Sequence, residues 1–448
     1  MILGENRVTT APSTAPADKA REARKVVAAS FIGTTFEWYD FFIYASAAAL
    51  VFGPLFFPNV SDFAGTLAAF STFAVGFLAR PLGGIIVGHF GDRVGRKAML
   101  VFCLLCMGIA TIIIGLLPTY SQIGIWAPIL LVVMRIFQGI GVGGEWGGAV
   151  LMAVEYAPAN RRGLYGGFVQ IGTPAGLILA NLAFLSVVTF VPEEHFLTWG
   201  WRIPFLLSAV LVVVGLVIRL RLEETPVFAE ATAKAPKVER VPVVAVLRSH
   251  WKSVLAGGLT MSAPAMVGYV MIAYLLSYGV SQLGMARGVM IALVLWSSAV
   301  WLVLTLVFAA GSDRYGRRRV YLWGAWSGLL MAFPLFWLLD TREPWVMAVG
   351  MTLLAISMSA MYSPIAAMLS ELFPTRLRYT GNSVSYQVGT LVGGAFVPII
   401  ATTLMQITGT SAAISAYIVV SILIGLLAVK FVPETSRISL DTAGRSEG

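Results

Sequence analysis

The chain has 3 histidines and 2 cysteines among 448 residues, and only 12% of its residues are charged. Cys103 and Cys106 lie three apart in one apolar run. Without a second ligand pair, that spacing argues for small residues in a lipid-embedded helix and against a metal or redox centre. His89 abuts a basic loop and His195 and His250 fall in loops, so a histidine proton relay lacks its parts. No H-E-x-x-H or G-x-S-x-G constellation occurs in the apolar runs, which removes metalloprotease and serine-hydrolase chemistry. No enzyme activity, metal site or cofactor is therefore expected. A soluble protein carries about 25% charged residues. With 58% hydrophobic residues and a mean hydropathy of +0.83, this chain expects a lipid bilayer as its solvent. The first 25 residues have no apolar core and read as a disordered tail, not a secretory signal. The net charge of +9 does not imply nucleic acid, because the basic residues line short loops between apolar spans.

Runs long enough to cross a bilayer (about 20 residues) fall at 28–56, 64–90, 98–118, 125–152, 164–191 and 202–220, then at 253–281, 288–310, 320–339, 345–369, 382–406 and 411–432. The expected fold is an all-α membrane protein with twelve transmembrane helices in two pseudo-symmetric six-helix bundles. The bundles are placed at 26–221 and 253–433, with a polar linker at 222–252 and tails at 1–25 and 434–448. Paired landmarks support duplication. Gly88-His-Phe-Gly-Asp-Arg-Val-Gly-Arg-Lys97 returns as Gly311-Ser-Asp-Arg-Tyr-Gly-Arg-Arg-Arg319. Glu155-Tyr-Ala-Pro158 returns as Glu371-Leu-Phe-Pro374, and Glu223-Glu-Thr-Pro226 as Pro433-Glu-Thr435. Duplicated helical membrane domains are the usual architecture of secondary transporters. The segments 7–25, 93–97, 161–162, 219–252, 314–319, 376–378 and 430–445 hold 26 of the 31 Lys and Arg residues. The positive-inside rule places all of these segments, and both termini, in the cytoplasm.

The motifs Glu37-Trp-Tyr-Asp-Phe41, Arg80-Pro-Leu-Gly-Gly84, 88–97, Arg135-Ile-Phe-Gln-Gly-Ile-Gly141, Gly143-Gly-Glu-Trp-Gly147 and Gly200-Trp-Arg-Ile-Pro-Phe205 resemble the major facilitator superfamily. Within it the chain looks like the metabolite:proton symporter branch, nearest to shikimate and α-ketoglutarate permeases. The resemblance covers about residues 28 to 436. It implies a multi-pass protein of the bacterial cytoplasmic (inner) membrane, a functional monomer, importing a small organic acid by alternating access with the proton as coupling ion. A permease for zwitterions such as betaine or proline, or an exporter of metabolites or drugs, is the alternative.

Charge inside a bilayer costs at least ~2.5–3.5 kcal/mol per group, so five ionisable residues inside spans stand out: Glu37, Asp40, Arg80, Arg135 and Glu145. Thr34, Glu37, Asp40 and Tyr44 form one stripe by helical spacing. Glu37, Asp40 and Glu145 are the proton-coupling candidates, with Glu37 and Asp40 expected to repel each other. Arg80 and Arg135 are candidates for holding a substrate carboxylate bidentately. Tyr44, Gln138, Gln170, Asn181, Tyr274, Asn382 and Tyr386 complete the expected substrate site. The resemblance implies that Asp92, Arg93, Arg96, Asp313, Arg314, Arg317, Glu155 and Glu371 are gating residues. Pro174 and Pro364 are expected to kink spans that rock.

Overall fold

The computed structural model describes residues 16–94, 96–143, 145–221, 242–375 and 377–437. These form helices α1 Pro16–Leu50, α2 Asp62–Val94 and α3 Arg96–Leu116. They are followed by α4 Trp126–Glu155, α5 Ala159–Phe190, α6 Gly200–Val217, α7 Trp251–Ser281, α8 Arg287–Tyr315, α9 Arg317–Leu339, α10 Pro344–Leu372, α11 Arg378–Thr408 and α12 Ala412–Val429. Among the described residues there is no strand, as expected where only a helix satisfies every backbone group within lipid. Ten of the twelve are long and apolar enough to cross a bilayer on described residues alone. The other two are α1, which carries Glu37 and Asp40, and α3, whose described apolar stretch is Val101–Leu116.

Two boundaries differ from the sequence expectation. Helix α1 starts at Pro16 instead of 26, because Ala17 to Lys25 is rich in Ala, Lys, Arg and Glu, all strong helix formers. Residues 222–241 of the expected linker lie outside the described residues, and its end, Pro242–Ser249, is a helix.

The two sets of six helices repeat one packing scheme. In the first, α1 lies on α5, α2 on α4, and α3 on α4 and α6. In the second, α7 lies on α11, α8 on α10, and α9 on α10 and α12. The bundles meet where α1 faces α7, α2 faces α11, α5 faces α8, and α4 and α5 face α10. Helix α7 is the central element: 94% of its apolar window is buried, against 39% for α8 and α9.

Several spans are interrupted at mid-depth. The helix of α5 is re-started at Gly172 just ahead of Pro174, and α10 breaks at Ser363–Pro364. Helices α7 and α11 each contain one wide π turn, at Val270–Tyr274 and Leu391–Ala395. Such turns leave backbone groups free to re-pair and recur at functional positions. Close approach of α2 and α4 depends on Gly76 and Gly139. A Cβ on Gly139 would strike the carbonyl oxygen of Gly76, and one on Gly76 would lie 2.6 Å from Nη2 of Arg135.

Candidate functional site

Helix α1 carries Thr34, Glu37, Asp40 and Tyr44 into the first bundle, all buried. The two carboxylates do not form a pair. Asp40 turns toward α6, where the Ser208 hydroxyl donates to its Oδ1 at 2.5 Å, while the Thr111 hydroxyl of α3 donates to the Met107 carbonyl at 2.9 Å. Glu37, also buried, acts electrostatically on Tyr362 of α10 in the other bundle. Three helical steps separate the side chains by about 60° around the axis, enough to give them different neighbours. The side chain of Glu145 lies outside the described residues.

Arg80 and Arg135 are fully buried and share an aromatic cage. The Arg80 guanidinium sits 4.4 Å from the Phe77 ring centre, 4.5 Å from Phe41 and 5.7 Å from Trp38. Arg135 sits 3.9 Å from Tyr44, 5.0 Å from Phe41 and 5.2 Å from Phe73. Arg135 donates from Nη1 to Oε1 of Gln138 at 2.9 Å and from Nη2 to the Phe73 carbonyl at 3.1 Å. Its Nε has no hydrogen-bond partner among the described residues, nor do Nε and Nη2 of Arg80. No carboxylate among the described residues lies within ion-pair distance of either guanidinium. Ring faces attract cations by about 0.5–2 kcal/mol, much less than the desolvation of a guanidinium costs. Two buried cations held this way make a site suited to an anion.

The remaining expected substrate residues scatter. Tyr44 shares a 2.5 Å hydrogen bond with Thr72 while its ring faces Arg135. Gln170 receives the Trp146 indole N–H at 3.2 Å and donates to the Tyr362 carbonyl at 3.2 Å, bridging the bundles. Tyr386 stacks on Trp146 with ring centres 3.5 Å apart, and its hydroxyl lies 3.5 Å from that of Tyr362. Asn181 donates to its own helix at Leu177. Asn382 donates to the Ser370 hydroxyl at 3.1 Å, near the end of α10. Tyr274 stacks on Tyr278 within α7. Thr111, Ser208, Trp146 and the phenylalanine cage were not singled out from sequence. A Ser or Thr in an apolar helix gives the same signal whether it binds a carboxylate or its own backbone.

A central void of about 20 Å³ lies between the bundles, lined by Trp38, Phe42, Thr173, Met261, Tyr269, Trp301, Tyr362 and Tyr386 among others. That is room for roughly one water. The four described mid-depth charges do not line it. Arg80 approaches it through Trp38 and Tyr269, which do.

Among the described residues, contacts bridge the bundles at both ends of the interface. On the face carrying the basic loops, Asp313 of α8 accepts from the backbone N–H groups of Gly163 and Leu164 on α5, at 2.8 and 2.9 Å. Arg317 pairs with Asp313 at 2.7 Å and with Glu371 at 3.2 Å, and Arg162 approaches Glu371 at 3.9 Å. Arg378 of α11 reaches Glu155 of α4 at 3.3 Å. Among the described residues, Arg314 meets the neighbouring Tyr315 ring, 5.3 Å from its centre. The side chains of Asp92, Arg93 and Arg96, three of the residues expected to act in gating, lie outside the described residues. Beyond α12, Glu434 accepts from the N–H groups of Arg317 and Arg318, at 2.9 and 3.1 Å. Burial pushes Glu434 up, but its hydrogen bonds from Arg317, Ser436 and Arg318 outweigh this and hold it below the usual carboxylate range. On the opposite face, Arg287 of α8 pairs with Glu193 at 3.1 Å and covers the Phe196 ring.

Comparison with known proteins matches residues 25–445 to the family described as sugar (and other) transporter. The chain is 42% identical over 424 residues to the inner membrane metabolite transport protein YhjE of Escherichia coli K12, covering 93% of this chain and 95% of that one. It is 40% identical over 433 residues to the shikimate transporter of the same organism, covering 96% and 99%. The solved structure of the proton:xylose symporter XylE superposes with a TM-score of 0.75 at 18% identity, covering 94% of this chain and 98% of that one, a likeness of fold. With twelve long helices among its described residues in two matching bundles and a family model spanning nearly its whole length, the chain belongs to the sugar (and other) transporter family of the major facilitator superfamily, as a multi-pass membrane transporter of small molecules.

Proposed function

We propose that the chain is a proton-driven symporter that imports a small organic acid, shikimate-like or dicarboxylate-like, by alternating access of its two bundles. One observation carries this reading: Arg80 and Arg135 are buried in an aromatic cage with no carboxylate in ion-pair range among the described residues. An incoming carboxylate supplies the missing charge, bidentately. Two guanidiniums repel an ammonium group, which disfavours betaine or proline. The name of the shikimate transporter, at 40% identity, supports an organic-acid substrate.

Asp40 is the coupling residue in this reading. It is buried, its carboxyl accepts from the Ser208 hydroxyl, and no described cation pairs with it. A carboxyl so placed gains or loses its proton as water reaches it. Glu37, acting on Tyr362 of the opposite bundle, senses its approach, and Glu145 is the remaining candidate. Around Arg80 and Arg135 we place Tyr44, Gln138, Gln170 and Tyr386 in the substrate path, with Asn181, Tyr274 and Asn382 reached as it opens. The face with the basic loops is cytoplasmic, as are both termini, and 26–221 and 253–433 move as units about the 222–252 linker. Asp313, Arg317, Glu371 and Glu155 form the inner gate, with Asp92, Arg93, Arg96 and Arg314 beside it. With contacts bridging both ends and, among the described residues, a central void with space for about one water, we read the conformation as occluded.

The test is uptake by purified protein in liposomes across an imposed pH gradient, comparing shikimate, α-ketoglutarate, citrate and betaine. Uphill accumulation of an acid that collapses when the gradient is dissipated is the expected result. Accumulation of betaine alone, or uptake indifferent to the gradient, overturns the reading.

A further inference from the structure

The walls of the central void hold donors that no described residue satisfies. Trp38 and Trp301 line it, both buried, and the indole N–H of each has no hydrogen-bond partner among the described residues. The Tyr269 hydroxyl, buried in the same wall, has none either. Beside them the Thr173 and Tyr362 hydroxyls share a hydrogen bond at 3.1 Å, and those of Tyr362 and Tyr386 lie 3.5 Å apart. An indole nitrogen donates and cannot accept, so only an acceptor can satisfy it. Buried donors without partners are few in folded proteins, and several around one void suit a ligand rich in acceptors. The wall is also built where helices are irregular. Tyr269 directly precedes the π turn Val270–Tyr274, Ile272 lies within it, and Thr390 directly precedes the turn Leu391–Ala395.

Charge divides this space. Among the described residues, those lining the void include no Asp, Glu, Lys, Arg or His. The two buried cations belong to one cage beside it, since Arg80 and Arg135 border the same Phe41 ring at 4.5 and 5.0 Å. A first carboxylate therefore has guanidiniums to meet. A second one, carried into the void, would meet no described cation there. When ionised, Glu37 acts on Tyr362 of that wall and adds a like charge. Burying a carboxylate without a counter-charge is far costlier than burying a hydroxyl that is hydrogen-bonded.

We propose that Trp38, Tyr269 and Trp301 read neutral hydroxyl groups on the body of the substrate, so that the transported acid is a hydroxylated monocarboxylate and not a dicarboxylate. This rests on the organic-acid reading above and narrows it. The carboxylate lies in the arginine cage, and the body extends past Trp38, whose ring meets Arg80 at 5.7 Å and also lines the void. Hydroxyls on the body accept from Trp38 of the first bundle and from Trp301 of the second, so one substrate ties the bundles together. Its C–H surface rests on the aromatic walls, the usual division of labour in a small-molecule site. Space comes from Met261 and Met358, which line the void and whose unbranched thioether chains repack readily. Met358 already lies against Gly268, its Cε 2.9 Å from where a Cβ would stand.

The experiment measures binding to the purified full-length protein by calorimetry, with folding checked by monodisperse elution. The ligands are the hydroxylated monocarboxylates shikimate and gluconate, their hydroxyl-free counterparts cyclohexenecarboxylate and hexanoate, the dicarboxylates α-ketoglutarate and succinate, and betaine. One hydroxylated acid is expected to bind about tenfold or more tighter than its bare counterpart and than either dicarboxylate, the effect of leaving a buried donor unpaired. Trp301→Phe and, separately, Trp38→Phe keep a ring and delete the N–H. Each is expected to weaken the hydroxylated acid about fivefold or more and to leave the bare counterpart within about twofold. A merely structural role would weaken both ligands alike. A bare acid or a dicarboxylate that binds as tightly as the best hydroxylated acid overturns the proposal while organic-acid transport stands, and so does an equal loss for both ligands in the folded variants. If betaine alone binds, or no ligand does, the organic-acid reading falls and the proposal with it.

Discussion

Replacing Arg135 with Gln separates a substrate-binding arginine from a structural one, because the two roles predict opposite signs for stability. The variant loses a bidentate partner for a desolvated carboxylate, an interaction whose removal costs about 2–4 kcal/mol. At 1.4 kcal/mol per decade, that weakens substrate affinity about 30- to 1,000-fold. Arg135→Lys keeps the charge but loses the fork and the flat stacking on Tyr44 at 3.9 Å, so it is expected between wild type and Arg135→Gln. Stability moves the other way. Arg135 forms two internal hydrogen bonds, worth about 1 kcal/mol each, and meets no described carboxylate. Removing the buried cation recovers a desolvation cost of several kcal/mol. The Tm of the Gln variant in detergent is therefore expected to equal or exceed that of wild type. Counterflow in substrate-loaded proteoliposomes reads the affinity without needing a proton gradient. An affinity within twofold of wild type, together with a lowered Tm, refutes the reasoning and makes Arg135 a packing residue.

Three further perturbations follow from the geometry. Gly76→Ala puts a methyl group 2.6 Å from Nη2 of Arg135; transport at substrate concentrations below half-saturation is expected to fall about tenfold or more, the effect of roughly 1.4 kcal/mol, and a wild-type rate would show that the guanidinium moves aside freely. Asp313→Asn weakens the bonds to Gly163 and Leu164 and the pair with Arg317, so a cysteine at Ala366 should be labelled faster from the basic-loop face; unchanged labelling would remove Asp313 from the gate. Glu434 has a depressed folded-state value, so its contribution to stability is present at neutral pH and lost as pH falls through that value. Glu434→Gln should accordingly lower Tm at pH 7 and leave it unchanged once the pH is low enough to protonate the wild-type side chain.

The twelve spans and the duplication were legible in the chain because lipid enforces long apolar runs and the basic hairpin recurs at 88–97 and 311–319. The mid-depth charges were legible for the same reason: Arg80 and Arg135 stand out against an apolar background. Their neighbours did not. Phe41, Phe73 and Phe77 look like any lipid-facing aromatics until three helices bring them around two guanidiniums. Glu37 and Asp40, three residues apart, read as a mutually repelling pair, yet the structure sets Asp40 on Ser208 while Glu37 acts on Tyr362 of the opposite bundle. Trp146 against Tyr386 joins positions 240 residues apart, and contact at that separation is set by tertiary packing alone. Thr111 was silent because hydroxyls in apolar helices usually satisfy themselves on the preceding turn.

The two seals of the interface differ in how they meet solvent. Glu193 and Arg287 are 88% and 27% exposed, while Arg162 and Glu371, which approach each other across the bundles on the opposite face, are 10% and 0% exposed. Dissolved ions screen an exposed pair over a Debye length of about 8 Å at physiological ionic strength and hardly touch a covered one. Raising the salt concentration should therefore loosen the Arg287 door and leave the Asp313 door shut, so that brine alone tilts the resting population toward one side of the membrane.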